Sequence, residues 1–191
     1  MSESEANELV VIYDIETSGL YTSTKYRTVP LYNQLKYFNT CRIVQMSYVV
    51  CKRGSFDIVD QGDMIIKADG FNIANEQFHG VTMERSEQEG IPFEDAAKKF
   101  LTACNGASYL IAHNAMFDVL VTRSELFRYN LTDCLTEFDA LKVVCSMKKT
   151  KAVVKCKGKD NRIKNPKLKE LYEFAIDKKI ENEHNAMFDV L

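Results

Sequence analysis

The stretch Val10-Val11-Ile12-Tyr13-Asp14-Ile15-Glu16-Thr17-Ser18-Gly19-Leu20 constrains the fold more than any other part of the chain. Residues 9–15 are nearly all apolar and rich in β-branched side chains, the pattern of a strand covered on both faces. Such a strand should carry no uncompensated acid, because a buried charge without a partner is costly or gives up its charge. Asp14 and Glu16 nonetheless stand at its end. Side chains two apart on a strand point the same way, so the two carboxylates converge on one side, where a hard divalent cation would compensate them. The ordinary alternative is a strand end that has emerged into solvent. The stretch by itself leaves both readings open.

The expected organisation is a disordered acidic tail over residues 1–8 and one domain over 9–191, a length sufficient for a sizeable core. No apolar run is long enough to span a membrane, and the polar N-terminus does not read as a secretory or mitochondrial leader. Cys41, Cys51, Cys104, Cys134, Cys145 and Cys156 lie far apart with no C-x-x-C pair. They therefore read as reduced thiols of an intracellular protein, in cytoplasm or nucleus.

A net charge of −2 conceals an uneven distribution. Residues 142–169 hold eleven Lys or Arg and one acid (Asp160), a net of +10, so the remainder holds 14 basic and 26 acidic residues, a net of −12. A basic segment on an acidic body suggests contact with a polyanion. A solvated lysine-rich loop is the common alternative.

Residues 20–41, with Tyr21, Tyr26, Tyr32, Tyr37 and Pro30, read as a long loop beside the carboxylate end of the first strand. Residues 42–52 and 56–66 read as two further strands joined by a short turn, the second bent at Gln61-Gly62. Short helical pieces follow over 73–90, with Thr82 as a helix cap. An amphipathic helix runs over 93–104 behind Pro92. A short strand over 108–112 leads to a helix capped by Asn114 and running to about Arg128. A fifth strand is expected over 142–147, a loop over 148–165, and a last amphipathic helix from Pro166. A three-strand antiparallel meander followed by βα alternation argues for an α/β layered sheet.

Asp118 lies early in the helix after the fourth strand, among residues that should face a core. Near the end comes His184-Asn185-Ala186-Met187-Phe188-Asp189. Five steps on an ideal helix turn about 500°, so His184 and Asp189 serve one centre only if the histidine precedes the helix and the aspartate lies on it. The octapeptide 113–120 recurs unchanged as 184–191, too short a unit for a domain repeat.

Asp14-x-Glu16, then Asp118 in His-Asn-x-x-Phe-Asp, then His184 separated from Asp189 by four residues, resembles the DEDDh (DnaQ-like) 3′→5′ exonucleases. That family includes ribonuclease T, oligoribonuclease and the epsilon subunit of DNA polymerase III. Phe78-His79-Gly80-Val81-Thr82 is similar to a loop that in this family lies beside the terminal nucleotide. Arg42-Ile43-Val44-Gln45 and the segment 166–172 resemble a subgroup found in large DNA viruses.

The resemblance implies an RNase H-like fold with a mixed five-stranded sheet flanked by helices. It implies two divalent ions, Mg²⁺ or Mn²⁺, held by Asp14, Glu16, Asp118 and Asp189, with His184 as the catalytic base. It places Thr17, Leu20 and His79 at the terminal nucleotide of single-stranded DNA or RNA, and it leaves open a homodimer. The family's last helix continues well past its final aspartate, whereas only Val190 and Leu191 follow here. The expectations are then a fragment, or a helix completed by a partner. The rival reading is a catalytically weak nucleic-acid-binding module of the same fold.

Overall fold

The structure, a computed structural model, describes residues 8–177 and 186–191. Five strands form one sheet: β1 (Leu9–Thr17), β2 (Ile43–Lys52), β3 (Ile58–Ile65), β4 (Ala107–Ala112) and β5 (Val143–Cys145). Their spatial order is β3-β2-β1-β4-β5. The β1–β2 and β2–β3 pairs are antiparallel, and β1–β4 and β4–β5 are parallel. This is the mixed α/β sheet of the RNase H-like fold, the architecture expected of a meander followed by βα units. The helices are α1 (Glu76–His79), α2 (Met83–Glu89), α3 (Phe93–Cys104), α4 (Met116–Arg128), α5 (Thr132–Ala140), α6 (Ser146–Val154), α7 (Leu168–Ile176) and α8 (Ala186–Val190).

Alternation along β1 assigns the two faces of the sheet. Val11, Tyr13 and Ile15 are buried with Met46, Tyr48 and Val50 of β2 under α3. The apolar positions expected on α3 (Phe93, Ala96, Ala97, Phe100, Leu101, Cys104) are all buried. The Phe100 ring lies 5.2 Å from that of Tyr13 and 5.9 Å from that of Tyr48. Each such aromatic contributes about 1.5–3 kcal/mol by burial.

The opposite face carries Ile12, Asp14 and Glu16, and these are only partly buried. Coverage of β1 on both faces, expected from its composition, is therefore complete on one side alone. A cavity of about 310 Å³ lies over the acid face, walled by Ile12, Asp14, His113, Tyr172 and Asp189 among others. The strand buried along nearly its whole length is β2.

Other differences from the expected elements have local causes. β3 pairs with β2 without interruption at Gly62, and the register shift lies between Val50 and Cys51. Gly62 instead makes room for a neighbour: a Cβ there would stand 2.4 Å from the ring of Tyr48. Asn114 does not cap α4. It takes a left-handed backbone (φ 60°) in the turn before the helix, and its carbonyl accepts the Phe117 N–H at 2.9 Å. Thr82 does cap α2, accepting the Arg85 N–H at 3.0 Å.

The expected loop over 148–165 is a helix, α6, followed by a small hairpin in which Lys157 pairs with Ile163. No residue of α6 is buried, so no apolar stripe marked it in the sequence. Helix α5 likewise carries no apolar stripe, since Phe138 is its one buried residue.

Candidate active site

The centre lies at the carboxyl end of β1. One carboxylate oxygen from each of Asp14, Glu16 and Asp189 falls within 4.8 Å of the others. Asp14 and Glu16 come together through the two-residue period of the strand. Asp189 is delivered by α8, which begins at Ala186 and rests on β1, β2 and β3. His184 lies outside the described residues, ahead of that helix.

Asp118 approaches from α4. It is buried, and its carboxylate accepts hydrogen bonds from the backbone N–H groups of Ile15 and of its own residue. It stands outside the tight triad but within its field. Burial first, then Asp118, Asp189 and Glu16, hold the Asp14 carboxyl well above the usual range. Burial and Asp189 push Glu16 up to about 7. Burial, with a contribution from Glu16, pushes Asp118 up to about 7 against the two backbone hydrogen bonds.

Neighbouring polar groups fix the floor. Opposite Glu16 and Asp14 on β2 stand Gln45 and Ser47, both fully buried. Gln45 Nε2 and Ser47 Oγ donate to one oxygen of Asp63 on β3, at 2.7 and 2.6 Å. The register shift opposite Glu16–Thr17 leaves Val44 to pack with Ile65, Ile73 and Val81, which seats the 66–81 loop beside the centre.

Helix α4 is locked by a buried ion pair. Arg42 Nε and one Nη donate to Glu125 at 2.6 and 3.0 Å, and the Arg42 guanidinium lies 4.4 Å from the Phe71 ring centroid. Such bidentate geometry is what the planar guanidinium favours.

The residues expected to meet a terminal nucleotide are placed as follows. Thr17 Oγ1 donates to the Gly19 carbonyl at 2.8 Å, shaping the turn after β1. Leu20 stands 73% exposed just beyond it. His79 is buried, and both ring nitrogens are taken by the backbone. Nε2–H donates to the Ala74 carbonyl at 3.0 Å, and Nδ1 accepts the Val81 N–H at 3.1 Å. The ring thus organises its own loop, which presents Phe78 at 57% exposure. Asn75 Nδ2 ties this loop to the first by donating to the Ser18 carbonyl at 3.2 Å.

His113 had no role assigned beyond its place in the repeat. Its Nε2–H donates to the Pro166 carbonyl at 3.1 Å, and its Nδ1 lies 3.0 Å from the Ser146 hydroxyl. Burial lowers its pKa. The ring therefore joins the end of β4 to the start of α6 and to the approach to α7. Its position at the head of His-Asn-x-x-Phe-Asp was the available signal.

A family model described as Exonuclease, of the RNase T type, matches residues 11–191. Among curated proteins, none matches the sequence significantly. Of solved structures, E. coli exonuclease I in complex with a dT13 oligonucleotide superposes with a TM-score of 0.71 at 17% identity, over 95% of this chain and 38% of that one. Exonuclease X in complex with 5′ overhanging duplex DNA gives 0.56 at 18% identity, over 94% of this chain and 83% of that one. The chain thus spans well under half the length of exonuclease I. At these identities the likeness is one of fold.

Proposed function

We propose, from the premise that the chain belongs to the RNase T family of exonucleases, that it is a metal-dependent 3′→5′ exonuclease. It hydrolyses phosphodiester bonds at single-stranded DNA or RNA ends and releases nucleoside monophosphates. The observation that carries this reading is the convergence of Asp14, Glu16 and Asp189. Carboxylates that close repel one another unless they are protonated or a cation neutralises them. The raised pKa values of Asp14 and Glu16 express that repulsion together with burial. An all-oxygen donor set suits Mg²⁺ or Mn²⁺.

Asp14, Glu16, Asp118 and Asp189 would hold two such ions, Asp118 entering from α4. Bound there, the ions supply an activated water and charge neutralisation at the leaving 3′-oxygen. The rest falls to the chain's own groups. His184 takes the proton of the attacking water, a task suited to an imidazole with an ordinary pKa near 6.5. Thr17 holds the turn that carries Leu20, whose exposed side chain meets the terminal nucleotide. His79 acts through its loop, which offers the Phe78 ring to an unstacked base, a contact tolerant of sequence.

Product analysis tests this reading. Oligothymidylate or oligouridylate incubated with the protein and Mn²⁺ should yield nucleoside monophosphates from the earliest time points, and EDTA should abolish them. Early release of internal oligonucleotide fragments would contradict it.

A further inference from the structure

We propose that residues 146–164 form a strand-holding arm that grips the phosphate backbone of the substrate upstream of the scissile bond. The proposal rests on the exonuclease reading above and adds a second contact region to it.

The first observation is charge without partners. Of the eight cations between 146 and 164, Arg162 meets Asp160 and Lys164 meets Glu170. Lys148, Lys149, Lys151, Lys155, Lys157 and Lys159 are exposed and have no ion-pair partner among the described residues. Elsewhere Arg42, Arg53, Lys67, Arg85, Lys98 and Arg123 each meet an acid, and cations outside an ion pair among the described residues, such as Lys36, Lys52 and Lys99, are scattered along the chain rather than clustered. Six uncompensated lysines between residues 148 and 159, on a chain whose part outside 142–169 has a net charge of −12, concentrate positive charge that an anionic polymer satisfies.

The second observation is order. The lysines are carried by α6 and by a hairpin in which the Gly158 N–H donates to the Arg162 carbonyl and the Lys164 N–H to the Cys156 carbonyl, both at 2.9 Å. His113 holds the arm at both ends, through Ser146 and Pro166. The Lys164–Glu170 pair ties the hairpin to α7.

The third observation is position. β1, β4 and β5 run parallel, so the end of β5 lies on the same edge of the sheet as Asp14 and Glu16. It is two strands over, on the order of 10 Å away. There a groove of about 380 Å³ opens between Met116, Val119, Val143 and Val144, with Lys148 and Lys149 on its rim. An apolar floor under two ammonium groups suits a nucleotide unit, the base or sugar against the floor and the phosphate at the rim. An acidic protein would satisfy the charge but would have no reason to lie in register with the carboxylate centre.

The test measures strand binding against salt. A 5′-labelled oligothymidylate is titrated with the full-length protein in EDTA over a series of KCl concentrations. Wild type is compared with Lys148→Ala/Lys149→Ala, with Lys157→Ala/Lys159→Ala and with a charge-matched control on α3, Lys98→Ala/Lys99→Ala. Each lost phosphate contact should flatten the log–log salt slope by about 0.7, hence by about 1.4 for each arm pair, with the control at the wild-type slope. Slopes equal to wild type in both arm pairs, in a protein that binds strands and degrades them with Mn²⁺, would overturn the arm while leaving the exonuclease reading in place. They would turn attention to an acidic protein ligand. A wild type that neither binds nor degrades strands would overturn both. Circular dichroism on each variant confirms that the slope is read on a folded protein.

Discussion

Glu16 and Asp118 are each pushed up to about 7, well above a free carboxyl, by burial and by their acidic neighbours. The direction fixes a pH dependence. An acid whose folded pKa is raised contributes stability that is fully present below its unfolded value and lost as pH rises through the folded one. The metal-free protein should therefore melt at a lower temperature as pH rises from the ordinary carboxyl range to above about 7. Mn²⁺ should restore the melting temperature at the high end, and Asp14→Asn should raise it there in EDTA. A flat profile in EDTA, unmoved by Mn²⁺, would contradict the metal centre. The pairing of Asp14 with Glu16 was legible because it depends only on strand alternation. The use of both His79 nitrogens was not, since it depends on the turn through Gly80, which has φ 70°.

At the scale of elements, α4 and α8 bring Asp118 and Asp189, which hold the same place in two copies of one octapeptide, to the same strand end. Ala115 and Ala186 are buried in both copies, three residues before the aspartate. Asp118 bonds the Ile15 backbone, whereas Asp189 meets the side chains of Asp14 and Glu16. Context rather than local sequence separates their roles, which is why the repeat said little by itself. The lock on α4 makes a stability prediction. Glu125→Gln leaves Arg42 buried without its counter-charge and should cost about 3–5 kcal/mol in a denaturant titration; a loss under 1 kcal/mol, the value of an exposed pair, would contradict that role. Gly62→Ala drives a methyl into the Tyr48 ring, itself packed on Phe100, and should cost about 1–3 kcal/mol. The meander and α3 were legible because their apolar residues repeat at the period of the element. Helices α5 and α6 were not, because they bury one residue and none.

On the scale of the whole molecule, the contrast between the acidic body and the basic segment 142–169 is readable from charge alone. What the count did not reveal was that the lysines are mounted on a helix and hairpin at the sheet edge that carries Asp14 and Glu16. No helix among the described residues is long and apolar enough to cross a membrane. The central claim is that the carboxylate cluster, with its metal ions, shortens strands from the 3′ end. Its most direct test is a cleavage time course on matched 5′-labelled single-stranded DNA and RNA, with Mn²⁺ or with EDTA, beside Asp14→Ala and His184→Ala. The expected result is a metal-dependent ladder that shortens from the 3′ end, absent in Asp14→Ala and slowed about 10²–10⁴-fold in His184→Ala, with the faster substrate naming the polymer. Undiminished cleavage in Asp14→Ala, or intact strands in the wild type with Mn²⁺, would contradict it.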